Sequence, residues 1–80
     1  MGNIMTEEEF CDKFAANLKS WRNKRGISQS ALGLKIGLKE KSAMRSIQRW
    51  ELKERTPSVY NVKLLCDALQ ITPNDLIPTD

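Results

Sequence analysis

The stretch from Ser28 to Glu51, SQSALGLKIGLKEKSAMRSIQRWE, decides how the rest of the chain is read. It holds two short helical patterns broken by Gly37. In the first, Ser28 is a good N-cap, because its hydroxyl can accept from free N–H groups of the first turn. Leu32 and Ile36 follow four apart and face one side. Ala31 or Gly33 lies at a helix crossing. A glycine there costs the helix about 1 kcal/mol relative to alanine, but it lets another helix approach closely. Gly37 stops the pattern and can take the positive φ of a sharp turn. Leu38 reads as a core plug and Lys39-Glu40-Lys41 as an exposed loop. Ser42 is then the expected N-cap of the second pattern. Ile47 and Trp50 mark the inner face of that helix, and Met44, Arg45, Gln48 and Arg49 its outer face.

Working outward, the N-terminal side announces a longer helix. Thr6 with Glu9 three residues on makes a capping box, and Met5 and Phe10 occupy the hydrophobic-staple positions. Glu7, Glu8 and Glu9 sit where the helix dipole favours negative charge. Phe10, Phe14, Leu18 and Trp21 follow at helical spacing, with Cys11 and Ala15 beside them. The helix should end near Arg25, with Gly26 as a left-handed cap. On the C-terminal side, LKERTP at 52–57 is a polar connection closed by Pro57. A fourth helix starts near Ser58, with Val59, Val62, Leu65 or Cys66, and Leu69 as its buried stripe. Tyr60 and Leu64 lie further round. Thr72-Pro73 opens a last short helix, whose Leu76 and Ile77 dock back. No strand alternation or repeat is visible. The expected fold class is all-α, with five helices joined by short loops.

Eighty residues, 40% hydrophobic and 29% charged, describe one small globular domain. The expected division is an N-terminal arm at 1–5, the domain at 6–77 and a tail at 78–80. The opening MGNIMT formally matches the start of an N-myristoylation signal, but nothing else points to a lipid anchor. No apolar run is long enough to span a bilayer and no leader is visible, so the expected location is cytoplasmic and nucleoid-associated. Cys11 and Cys66 are expected as buried thiols behaving as small hydrophobes. Histidine is absent, which removes the commonest general base and metal ligand. With no paired carboxylates, phosphate loop or metal spacing either, the chain reads as a non-enzyme that calls for no cofactor and no metal.

Charge is segregated. Residues 1–20 carry −2, residues 21–56 carry +7 and residues 57–80 carry −2, for a net charge of +3. A basic body between acidic ends is the electrostatic footprint of a phosphate-binding surface. Together with the two helical patterns, it points to a helix-turn-helix that presents its second helix to DNA.

The ordered set Arg22-xxx-Gly26-x-Ser28-Gln29-xx-Leu32-Gly33-xxx-Gly37, Ile47-xx-Trp50-Glu51, Pro57-Ser58 and Leu65-xx-Ala68-Leu69-x-Ile71-xxxx-Leu76 resembles a known family. It is similar to the lambda repressor-like (Cro/repressor-type, XRE-like) helix-turn-helix domain of phage and bacterial regulators, over residues 14–77. The resemblance implies a compact five-helix domain. It implies an ion pair between Arg22 and Glu51 that ties the first helix to the end of the third. It implies base contacts from Met44, Arg45, Ser46, Gln48 and Arg49. Phosphate contacts are implied for Ser28 and Gln29, and Lys39, Lys41, Ser42, Lys53 and Arg55 are flanking candidates. Arginine suits guanine, glutamine suits adenine, and methionine can pack on a thymine methyl.

Three departures stand out. The family places its inner-face Ile and its Glu four residues closer to the turn glycine, so the turn here is expected to be lengthened through LKEKS, as in POU-specific domains. Lys53 stands where glycine is common, so the chain is expected to leave the third helix by another route. Gly33 replaces the usual alanine, an exchange expected to be harmless. The function implied is a sequence-specific, double-stranded DNA-binding transcriptional regulator, a repressor, reading the major groove with the helix around 43–51. A homodimer is expected, with Tyr60, Leu64, Ile71 and the tail as the interface. The alternatives are an antitoxin-type regulator and a protein-interaction module on the same fold.

Overall fold

A computed structural model describes residues 4–78. The expected arm and tail therefore lie partly outside the described residues, as does the start of the myristoylation pattern. Five helices follow one another: α1 (Glu7–Lys24), α2 (Gln29–Lys35), α3 (Glu40–Glu51), α4 (Val59–Leu69) and α5 (Pro73–Leu76). Among the described residues there is no strand.

The helix ends are set by local chemistry. At α1 the Glu9 N–H donates to the Thr6 hydroxyl (3.1 Å), and the Thr6 N–H donates to the Glu9 carboxylate (3.0 Å). These bonds hold the Glu9 carboxyl below its ordinary range. Gly26 takes φ 65° directly after the helix. Ser28 caps α2 through the Ala31 N–H, and Ser58 caps α4 through the Asn61 N–H. At α5 the Asp75 carboxylate accepts from both the Thr72 N–H and its hydroxyl.

The core is one cluster in which Leu18, Leu32, Ile47, Leu65, Leu69 and Leu76 are fully enclosed, with Phe14, Ile36, Trp50 and Cys66 around them. Every helix contributes to it, so burial orients α3. Both cysteines are free. Burial pushes the Cys66 thiol up, which keeps it protonated and inert. No helix of the described residues is long and apolar enough to cross a membrane.

Several expectations need correction. Ser42 does not cap the third helix. Lys39 is its N-cap, with extended backbone, and Glu40 and Lys41 already belong to the first turn. Glu40 there favours the helix, because a negative charge complements the N-terminal dipole. The residues beyond Gly37 thus add a helical turn to α3 where a loop was expected. Gly37 itself takes φ 91°.

Gly33 is not a harmless exchange. A Cβ at this position would lie 2.6 Å from the Ala43 carbonyl carbon and 2.7 Å from its Cα, and closer still to the carbonyl oxygen. The backbone of α3 occupies the space that an alanine methyl would need. Lys53 does take the left-handed conformation, with φ 65°. That geometry turns the Glu54 N–H back onto the Arg49 carbonyl at 2.9 Å, closing the end of α3. Finally, Val59 is not buried. It is 89% exposed at the start of α4, and the stripe begins only at Val62.

Candidate nucleic-acid interface

Glu51, the last residue of α3, is where three helices meet. Its Oε2 accepts from Arg22 Nε at 2.6 Å and its Oε1 from Arg22 Nη2 at 3.0 Å, a bidentate pair. Oε1 also accepts from Gln29 Nε2 at 3.0 Å. The two charged side chains are 12% and 4% exposed. The carboxylate thus joins the end of α1 to the start of α2, and Arg22 spends a further N–H on the Ile27 carbonyl in the connection between them. The nearby carboxylate holds the guanidinium above its ordinary value, so it stays charged. A fork-on-carboxylate geometry fixes direction as well as distance. It sets the C-terminal end of α3.

The other end of α3 is fixed by shape. Ala43 is fully buried against Gly33, so the first turn of α3 lies directly on α2. The outward side chains of α3 are solvent-exposed: Lys41, Met44, Arg45 and Gln48. Ser46 and Arg49 are only half exposed.

The residues expected at phosphates fare differently. Lys39, Lys41 and Arg55 are exposed. Ser28 is engaged as the α2 cap, and the Ser42 hydroxyl approaches the Lys39 carbonyl at 3.4 Å. Gln29 is committed to Glu51 through its amide nitrogen. Lys53 donates to Asp12 of α1 at 2.6 Å, so it is partnered within the chain.

One basic residue was missed. Lys19 joins Arg22, Ser28, Gln29, Gln48, Glu51 and Leu52 around a polar cleft of about 390 Å³. It sits one helical turn before Arg22 and shares its face, a spacing that could have flagged it. It lies in the net-acidic segment 1–20. The Arg25 contacts were missed too. Its guanidinium donates to the carbonyls of Leu69 and Gln70 and lies 5.0 Å from the Trp21 ring, pinning α1 to the end of α4. Among the described residues, no cluster of acidic or thiol groups could hold a metal ion.

A basic helix held at both ends on a short all-α scaffold, with polar side chains outward, defines a DNA-binding transcriptional regulator. A helix-turn-helix family model matches residues 18–76, and the chain belongs to that family. Among solved structures, the restriction-modification controller protein C.AhdI from Aeromonas hydrophila is 30% identical. That match covers 84% of this chain and 96% of the other, with a TM-score of 0.72. The P22 c2 repressor, solved in complex with synthetic operator 9T, is 31% identical with the same coverage and TM-score. A hypothetical transcription factor, NHTF from Neisseria, shares the fold with a TM-score of 0.76 at 20% identity, over 98% of this chain and 85% of that one. No curated protein matches the chain.

Proposed function

We propose that the protein is a cytoplasmic, non-enzymatic repressor that recognises double-stranded operator DNA by laying α3 in the major groove. The observation that carries this is α3 itself. Its inner face is locked by Ala43, Ile47, Trp50 and Glu51, while Arg45 and Gln48 stand free on the outer face. Arginine and glutamine are suited to base edges. Lys19, Lys39 and Arg55 are the phosphate contacts of this reading. The likeness to a repressor solved with operator DNA supports it.

A homodimer belongs to the same reading, since one helix covers only a few base pairs. The exposed apolar side chains Val59 and Tyr60, 89% and 68% exposed, lie at the start of α4 beside a groove lined by Phe10, Phe14, Val62 and Ile77. That edge offers more open apolar surface than Leu64 and Ile71, which are half-buried against the core. Dimers would bind half-sites about one helical turn apart.

The test is a mobility shift on genomic DNA fragments at low and moderate salt. Retardation of a few fragments that survives moderate salt is the expected result. Loss of that selectivity in Arg45→Ala, with non-specific binding retained, would place Arg45 at a base. No retardation at low salt would refute the DNA reading and leave the protein-interaction module in its place.

A further inference from the structure

A second cleft, of about 260 Å³, lies beside the polar one described above. Its walls are Asp12, Ala15, Ala16 and Lys19 of α1, Glu51 at the end of α3, and Lys53 just beyond it. Lys19 and Glu51 line both clefts, so the two adjoin. Together they make a track that starts at Ser28 and Gln29, passes Lys19 and ends at Lys53. The three cations along it are in unlike states. Arg22 is spent on Glu51 and Lys53 on Asp12, while Lys19 has no ion-pair partner among the described residues.

We propose that Asp12 withholds Lys53 from the phosphate backbone of DNA, and that this pair closes a basic track running from α2 over Lys19 to the exit of α3. The proposal rests on the DNA-binding reading above and adds to it a masked contact.

The geometry of the pair carries it. The Lys53 ammonium donates to the Asp12 carboxylate at 2.6 Å, each side chain is 50% exposed, and the two lie 41 positions apart in the chain. An exposed pair of this kind contributes little to stability. It does cancel a full positive charge where the track ends, and that charge faces solvent. The left-handed backbone at Lys53, φ 65°, sets where the side chain departs. The bond to Asp12, with added attraction from Glu8, holds the ammonium above its ordinary range, so it stays charged while masked. Lys63 and Asp67 make a comparable exposed pair at 2.8 Å, but on α4 and outside both clefts.

Counterion release makes the masking measurable. A free lysine that meets a phosphate releases a condensed counterion and steepens the salt dependence by about 0.9. A lysine handed from Asp12 to a phosphate leaves a bare carboxylate that gathers a cation of its own, and the two changes cancel. Lys53 is therefore silent in the salt slope while Asp12 is present.

The experiment measures binding to a mixed-sequence DNA duplex between about 50 and 200 mM salt. It compares the wild type, Asp12→Asn, Lys53→Gln, the double variant and Asp67→Asn. All these positions are exposed, and circular dichroism verifies that each variant folds. Asp12→Asn is expected to steepen the slope by about 0.9, so its gain in affinity is about 3.5 times larger at the lower salt. Lys53→Gln, the double variant and Asp67→Asn should all keep the wild-type slope. A slope flattened by Lys53→Gln alone would show Lys53 already on a phosphate. Equal steepening by Asp12→Asn with and without Lys53, or by Asp67→Asn, would reduce Asp12 to one more surface charge. An unchanged Asp12→Asn slope would put Lys53 out of reach of the backbone. Each of these three results overturns the proposal. A wild type that binds no duplex even at low salt would refute the function on which the proposal rests, a failure distinct from these.

Discussion

Replacing Gly33 by alanine puts the packing of α2 on α3 to a direct test. Two effects oppose each other. Alanine favours a helix interior by about 1 kcal/mol over glycine. The added methyl, however, meets the Ala43 carbonyl carbon at 2.6 Å and its Cα at 2.7 Å, where non-bonded carbons prefer about 3.5–4 Å. The obstacle is backbone, not the tip of a flexible side chain, so relief requires moving one helix. Overpacking costs about 1–3 kcal/mol, and a backbone obstacle belongs at the upper end. The net loss is then about 2 kcal/mol, which for a domain of this size lowers Tm by about 8–16 °C. Urea and thermal unfolding followed by circular dichroism would measure both quantities. Because the shift swings the first turn of α3, sequence-specific DNA affinity should fall as well. A Gly33→Ala protein as stable as the wild type, or more stable by the helix-propensity gain, would refute the close approach and the anchoring of α3 built on it.

Other outcomes follow from the same geometry. Glu51→Ala leaves the shielded Arg22 guanidinium and the Gln29 amide without their acceptor, and urea unfolding should show a loss of about 3 kcal/mol. Gln70 caps α4 with φ 57°, so Gln70→Gly removes a left-handed strain and should raise stability by about 1 kcal/mol, read as a higher Tm. Asp12→Asn releases Lys53 from its 2.6 Å partner and removes a negative charge. It should tighten non-specific DNA binding and steepen its salt dependence, read by titration at several salt concentrations. Glu9 is held below its ordinary range by the Thr6 bonds. Its contribution is therefore complete above the unfolded carboxylate value and is lost as pH falls through the lower folded value. Glu9→Gln keeps the capping box but cannot titrate, so its stability should decline less on the acid side in thermal unfolding scans across that range.

Much of this architecture was legible in the chain because it is written in short-range signals. Thr6, Ser28, Ser58 and Thr72 each mark a helix start, and Gly26 and Gly37 mark reversals. The apolar spacings of α1, α3 and α4 located the core, with Val59 the exception, because the first turn of α4 overhangs the packed region. What escaped were decisions made by pairs of distant residues. Ser42 has the chemistry of a cap, yet α3 starts earlier. Its start depends on where Ala43 meets Gly33 on another helix, and Glu40 suits the extra turn. Lys53 looked unsuited to a left-handed exit, but closure of the α3 end and the Asp12 partner hold it there. Lys19 differs, since its spacing to Arg22 was legible, but the cleft it lines takes its other walls from α2 and α3.

The two tryptophans occupy unlike surroundings. Trp50 is enclosed by the core on α3, while the Trp21 indole N–H donates to the Asp75 carbonyl of α5, with Lys24 and Arg25 over its ring. The chain therefore carries two intrinsic fluorophores that watch different joints. Detachment of the four-residue α5 would change the emission of Trp21 and leave Trp50 blue-shifted, whereas a shift of α3 would do the reverse. Single-tryptophan versions, Trp21→Phe and Trp50→Phe, would thus separate fraying of the C-terminal end from motion of the DNA-facing helix, with no label added.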